Sequence, residues 1–381
     1  MKVAAIICEY NPFHNGHKFH IEETRRKTGA DAVVAIMSGN FVQRGDVALF
    51  PKKLRSQAAI CGGADLVLEL PVPFATGSAE FFAQGAVSTL DALGIIDYLS
   101  FGAECNNAEN LHELAALFAN EPPEFTDLIK LYSKDGLSFP VARAKAAAEF
   151  AGADAVETLS SPNNILGIEY CKALLKSNSK IKPCVIERTG VGHDTEVTNG
   201  NIASASFIRK LLTDDSYDKA FSFMPEFAKE IFENQPLHSI KTIEKAILCE
   251  LIKTPVDKLR EISDIAEGLE NRIKDAALSS NSLDELIESV KTKRYTHSRV
   301  RRIILSAFLG ITDSNRKAPP RYIKILDHNE TGQKLIAAAK KTAVLPIVRN
   351  TSQMNKLNDP EIKELWEQER IFDKIYEMTK I

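Results

Sequence analysis

Two histidines three residues apart, near the start of the chain, are the side chains whose type and spacing could do chemistry. They lie in Glu9-Tyr10-Asn11-Pro12-Phe13-His14-Asn15-Gly16-His17. On the first turn of a helix, residues three apart share one face, so His14 and His17 could donate together to the oxygens of a polyphosphate. The preceding run, Val3 to Cys8, is short and apolar, as a buried strand is. An amphipathic helix can begin at His20, Ile21, Glu22 and Glu23. A strand, a tight loop and a helix N-terminus, in that order, aim free backbone N–H groups out of a sheet edge, where they attract phosphate. Pro12 needs no N–H in such a loop. Gly16, without a Cβ, lets a flat base or a ribose lie on the backbone.

Three further groups stand out. Ile202-Ala203-Ser204-Ala205-Ser206-Phe207-Ile208-Arg209 begins a helix, with Ser204 in the N-cap position. The loop Ser38 to Asp46 carries two glycines and Arg44, a cation that could hold a carboxylate. The stretch Lys291 to Arg302 holds six Lys and Arg residues and no acid. Arg294, Arg299, Arg301 and Arg302 could fork to the phosphates of a nucleic acid, with Tyr295 and His297 as flat groups between them. The plain alternative is a solvated helix face. Their distance in sequence from the histidines leaves these arginines outside any chemistry done there.

The elements that must position these residues alternate. Asp31–Met37, Asp65–Leu70, Asp97–Gly102 and Pro183–Arg188 read as further buried strands, separated by helical stretches such as the one Pro51 opens at its first position and the one from Ser78 to Leu93. The pattern predicts an α/β fold with a parallel sheet, whose ligands sit beyond the carboxyl ends of the strands. The loops Glu9–His17, Ser38–Asp46 and Gly102–Glu104 all fall at that edge. An Ala-rich stretch, about 106–155, is too long for a simple crossover and reads as a helical insertion. The expected units are 1–215 with that insertion, a mostly helical region 216–315, and a small C-terminal α/β element 316–381.

The 381 residues carry a net charge of −3, so any nucleic-acid contact must come from a local patch. No apolar run approaches the ~20 residues of a membrane span. The N-terminus lacks the basic start and apolar core of a signal peptide. Cys8, Cys61, Cys105, Cys171, Cys184 and Cys249 are scattered without a C-x-x-C pair, which speaks against a zinc site and suits reduced thiols in the cytoplasm.

His14-Asn15-Gly16-His17 resembles the His-x-Gly-His signature of the nucleotidyltransferases related to class I aminoacyl-tRNA synthetases. Ser204-Ala205-Ser206-Phe207-Ile208-Arg209 resembles their second signature, in which the serines, the helix N–H groups and the arginine hold the β- and γ-phosphates. Ala205 stands where the simpler adenylyltransferases usually carry another serine. With Met37–Gly45, Ser161–Gly167 and Asn329–Gly332, the motifs together closely resemble the bacterial tRNA(Met) cytidine acetate ligases along nearly the whole chain.

That resemblance implies a Rossmann-like His-x-Gly-His domain with ATP and Mg²⁺. The implied reaction makes acetyl-adenylate from acetate and moves the acetyl group to N4 of the wobble cytidine in elongator tRNA(Met). It places ATP along Ile7, Cys8, Glu9, Tyr10, Asn11, Pro12, Phe13, His14, Asn15, Gly16, His17 and His20. It adds Gly102, Asn163 and Arg188 as nucleotide contacts, and Ser204, Ser206 and Arg209 at the pyrophosphate. No permanent metal site is expected; the ion comes with the nucleotide. Two other readings remain open on the residues alone: an adenylyltransferase that builds a dinucleotide-type cofactor, and a non-catalytic RNA-binding protein that keeps ATP as a structural ligand.

Overall fold

The computed structural model describes residues 1–104, 108–187, 200–266, 268–292 and 295–381. Its centre is a seven-stranded sheet in the order β7-β6-β1-β2-β5-β8-β9. The strands are β1 (Val3–Cys8), β2 (Ala32–Ser38), β5 (Leu66–Leu70), β6 (Tyr98–Ala103), β7 (Lys182–Glu187), β8 (Ile323–His328) and β9 (Ile347–Val348). A separate hairpin joins β3 (Phe41–Val42) to β4 (Asp46–Val47) within the loop after β2. The first five strands of the sheet pair in parallel, with Ile6 of β1 beside Ala35 of β2 and Ser100 of β6. β2 and β5 are buried along their whole length, as strands covered on both faces are.

Alternation along β1 divides the core. Ala5 and Val3 face a layer built by the helices Ala79–Leu93 and Pro162–Lys176, together with the helical insertion. Ile6 faces the other layer, which holds the helices Asn15–Thr28, Lys52–Cys61 and Ala205–Thr213. The helical region, from Ile240 to Ile311, packs in a further cluster that Phe41, Val47, Val72, Phe372 and Tyr376 join.

One expectation is corrected. Pro51 is the N-cap of its helix rather than its first residue, which is Lys52. The strands of the C-terminal α/β element join the main sheet: β8 pairs antiparallel with β5, and β9 follows parallel to β8. Their pairing partner lies far away in sequence, and local periodicity cannot record it.

The join is charged. Glu69 of β5 is buried and meets both Lys52 and Lys324 at 2.7 Å. Lys52 also reaches Asp373 of the C-terminal helix Pro360–Glu377 at 2.6 Å. From that helix Glu369, also buried, accepts the Val72 N–H at 2.9 Å. Burial would raise the Glu69 carboxyl, but Lys324 and Lys52 outweigh it and hold the group low. For Glu369, burial and then the nearby Glu69 charge push the carboxyl up to about 7. A carboxyl raised in the folded state stabilises the fold below its unfolded value of 4.5, and that contribution is lost as pH rises through about 7. Glu369→Gln is therefore expected to gain thermal stability relative to the wild type between pH 5 and pH 8. Thermal unfolding at both pH values checks this; an equal offset at the two would remove Glu369 as the titrating group.

Candidate functional site

The carboxyl ends of β1 and β2 are fastened by one side chain that gave no signal in the sequence. Arg55 is 0 % exposed. Its guanidinium donates to the carbonyls of Phe50 (2.9 Å), Glu9 (2.5 Å) and Ser38 (3.2 Å), and also to that of Gly39. The Lys52–Cys61 helix thereby fixes the start of both loops that carry candidate residues. From there Tyr10 turns the chain at φ 47°, and the Asn11 side chain accepts the Leu49 N–H at 2.8 Å.

The first helix begins earlier than its periodicity suggested, at Asn15, because His14 caps it. His14 Nδ1 accepts the Gly16 N–H at 3.1 Å, and His17 Nδ1 accepts the His14 N–H at 3.3 Å. This is a capping box made of two imidazoles in place of the usual Ser and Glu. A neutral imidazole that accepts on Nδ1 carries its proton on Nε2. The rings stack with centroids 3.7 Å apart. A Cβ on Gly16 would meet His14 Cε1 at 2.9 Å, so the glycine makes room for the imidazole as well as for a ligand. One turn on, His20 Nε2 lies 3.2 Å from Ser100 Oγ of β6.

These groups open on a cavity of about 280 Å³ across the carboxyl edge of the sheet. Of the residues expected at the nucleotide, Ile7, Cys8, Glu9, Tyr10, Asn11, His14, Gly16, His17, His20, Gly102, Asn163, Ser204, Ser206 and Arg209 line it, and so does Arg44. Pro12, Phe13 and Asn15 do not. Phe13 is a core residue packed against Tyr10 and Phe227, and Asn15 is spent on the Asn201 carbonyl at 2.8 Å. Arg188 lies outside the described residues.

Ser204 caps its helix as expected, accepting the Phe207 N–H at 3.2 Å, and its hydroxyl lies 3.2 Å from that of Ser206. Arg209 donates to the Asn11 carbonyl at 2.8 Å, which ties this second motif to the first loop. Asn163 donates to Glu104 Oε1 at 2.5 Å, and Ser161 donates to the same carboxylate. Sequence reasoning passed over Glu104 as well as Arg55.

The hairpin after β2 brings Gln43 and Arg44 to the cavity, with the Gln43 N–H on Glu9 Oε1 at 2.8 Å. Its far side belongs to the helical region. Asp46 pairs with Arg301 on the helix His297–Leu309. A Cβ on Gly45, at φ 71°, would meet the Arg302 backbone N at 2.5 Å. The separation in sequence is thus misleading: Arg301 supports the loop that carries Arg44. Arg299 donates to the Asp264 carbonyl at 2.8 Å and lies over the Tyr295 ring. Arg302 is half-buried, and burial lowers its pKa. Arg294 lies outside the described residues.

A parallel sheet whose first strand ends on a His-x-Gly-His cap, faced by a serine-capped helix and its arginine, defines an enzyme of nucleotidyl-transferase type. The family model described as HIGH Nucleotidyl Transferase matches residues 1–381. The tRNA(Met) cytidine acetate ligase of Clostridium perfringens strain SM101 is 40 % identical over 365 residues, covering 93 % of this chain and 90 % of that protein. That of Acetivibrio thermocellus is 39 % identical over 395 residues, covering 99 % and 95 %. The crystal structure of Thermotoga maritima TmcAL bound with alpha-thio ATP superposes with a TM-score of 0.92 at 32 % identity, covering 100 % of this chain and 95 % of that one. The apo form gives 0.94 at 33 % identity, with the same coverage. The chain belongs to the HIGH nucleotidyl transferase family and, within it, to the tRNA(Met) cytidine acetate ligases.

Because His14 is a helix cap, it also carries stability. His14→Ala is expected to cost about 1 kcal/mol, and His14→Asn much less, since Asn is a strong N-cap residue. Denaturant unfolding of the two variants checks this; equal losses would show that the cap bond contributes nothing.

Proposed function

We propose that this enzyme activates acetate with ATP and transfers the acetyl group to N4 of the wobble cytidine of elongator tRNA(Met), forming N4-acetylcytidine in the cytoplasm. In the first step an acetate oxygen bonds to the α-phosphorus, the bond to the bridging oxygen breaks, and pyrophosphate leaves. In the second the cytidine amine attacks the acetyl carbonyl and AMP leaves. The observation that carries this reading is the stacked pair His14 and His17, in one cavity with Ser204, Ser206 and Arg209. It is supported by the names of the relatives and by the alpha-thio ATP bound to the Thermotoga maritima protein.

Charge builds on the phosphoryl oxygens and on the leaving pyrophosphate, so the step rests on positioning and on preorganised donors. His14 and His17 serve the α-phosphate; Ser204, Ser206 and Arg209 serve the leaving group. Mg²⁺ enters as counter-charge with the nucleotide; among the described residues no group of three or more His, Cys, Asp or Glu side chains is arranged to hold an ion. Arg44 is the cation for the acetate carboxylate. Arg299, Arg301 and Arg302, with Arg294, position the tRNA backbone. No helix among the described residues is long and apolar enough to cross a membrane.

Acetate-dependent exchange of pyrophosphate into ATP, followed by mass analysis of tRNA(Met) incubated with ATP and acetate, tests the reading. Exchange that needs a phosphorylated cofactor precursor instead would make the chain an adenylyltransferase. His14→Ala and His17→Ala are each expected to slow the exchange ~100-fold or more; exchange at the wild-type rate in both would remove the histidines from the mechanism. Arg301→Ala is expected to slow exchange and also to weaken tRNA binding, with a salt slope smaller by about one. An unchanged exchange rate in that variant would show that the Asp46 contact does not hold the Arg44 loop in place.

A further inference from the structure

The cavity has two ends. The phosphate-facing groups, on the Asn15–Thr28 and Ala205–Thr213 helices, belong to one face of the sheet. On the other face, Asn163, Leu166 and Tyr170 recur along the helix Pro162–Lys176 at spacings of three and four, so one side of that helix lines the cavity. Phe82, from the neighbouring helix, and Phe101, from β6, complete an apolar wall, and the Phe101 and Tyr170 rings lie 5.6 Å apart. Tyr170 is 4 % exposed and Phe82 3 %.

We propose that this apolar end is the acyl subsite, with the Tyr170 hydroxyl donating to the acetate carboxylate and Phe82 setting the chain length that is accepted. The Tyr170 ring is buried and lines the cavity. A phenol hydroxyl at a cavity wall can donate to a ligand oxygen. Burial, and then the charges of Cys8 and Glu9, raise the phenol far above its ordinary range, so it stays a donor at neutral pH. Cys8 and Glu9, at the end of β1, line the same cavity. A short carboxylate fits this chemistry: one donor, a supporting cation in Arg44, and an apolar wall for a methyl group. Once the acetyl group is attached to AMP, the same hydroxyl lies at the acyl oxygen and can stabilise the charge that forms there when the amine attacks.

The inference rests on the activation of acetate by ATP, and the test separates the two. Pyrophosphate exchange is measured for the full-length protein with acetate, propionate and butyrate, beside ATP binding by titration. Tyr170→Phe is expected to raise the KM for acetate about 10- to 100-fold, as loss of a hydrogen bond to a charged group does, with ATP affinity unchanged. Phe82→Leu and Phe82→Ala are expected to shift the propionate-to-acetate ratio of kcat/KM about tenfold or more toward propionate, the worth of room for one methylene. Leu keeps most of the core contact, so the ratio can be read even if the Ala variant unfolds. Wild-type exchange with an unchanged acetate KM in Tyr170→Phe, or an unchanged ratio in folded Phe82→Leu, would overturn the subsite and leave the activation reading intact. A wild-type protein that binds ATP but shows no carboxylate-dependent exchange would overturn both.

Discussion

The site depends on a guanidinium with no water around it. Arg55 is fully buried, and its donors go to the carbonyls of Glu9, Ser38, Gly39 and Phe50. A buried charge persists only if its hydrogen bonds are made, and here the chain must bend so that four carbonyls converge on one plane. That requirement shapes the ends of β1 and β2 together. The loop with the histidines and the hairpin with Arg44 both leave from this anchor, so their separation is set by one rigid fork. A lysine, with three donors on a point charge, could not span the same carbonyls.

Much of the fold was legible because it is local. The apolar run Val3–Cys8, the loop and the helix after it read directly, as did Ser204 at its cap. The parallel sheet and its ligand-bearing edge followed from the alternation of strands and helices. What the sequence hid is of two kinds. Arg55 and Glu104 sit among ordinary polar residues, and only burial or a shared partner sets them apart. Asp46 with Arg301, and β5 with β8, are pairings between distant segments that leave no periodic trace. The start of the first helix was missed for a chemical reason: histidine is not among the usual N-caps, yet its Nδ1 can do a serine oxygen's work.

The hairpin between β2 and the Lys52 helix belongs to two bodies at once. Phe41, Val47 and Val72 pack in the same apolar cluster as Ile247, Ile303 and Ile311 of the helical region. Phe41 also meets Phe372 and Tyr376 of the C-terminal helix edge-on. On its other side the hairpin presents Gln43 and Arg44 to the cavity. A displacement of the helical region would therefore move side chains at the site without passing through the sheet.

The closing of the sheet by β8 has a meaning for how the chain is made. β5 is buried throughout, and one of its edges is covered by a strand that begins only at Ile323. While the ribosome is still producing the helical region, β5 stands as an open apolar edge, the feature that invites wrong pairing between chains. The sheet that the first two hundred residues begin is completed only by β8 and β9. A chain that stopped short of β8 would leave that edge of β5 uncovered, so the last strands to be made are the ones that close the sheet.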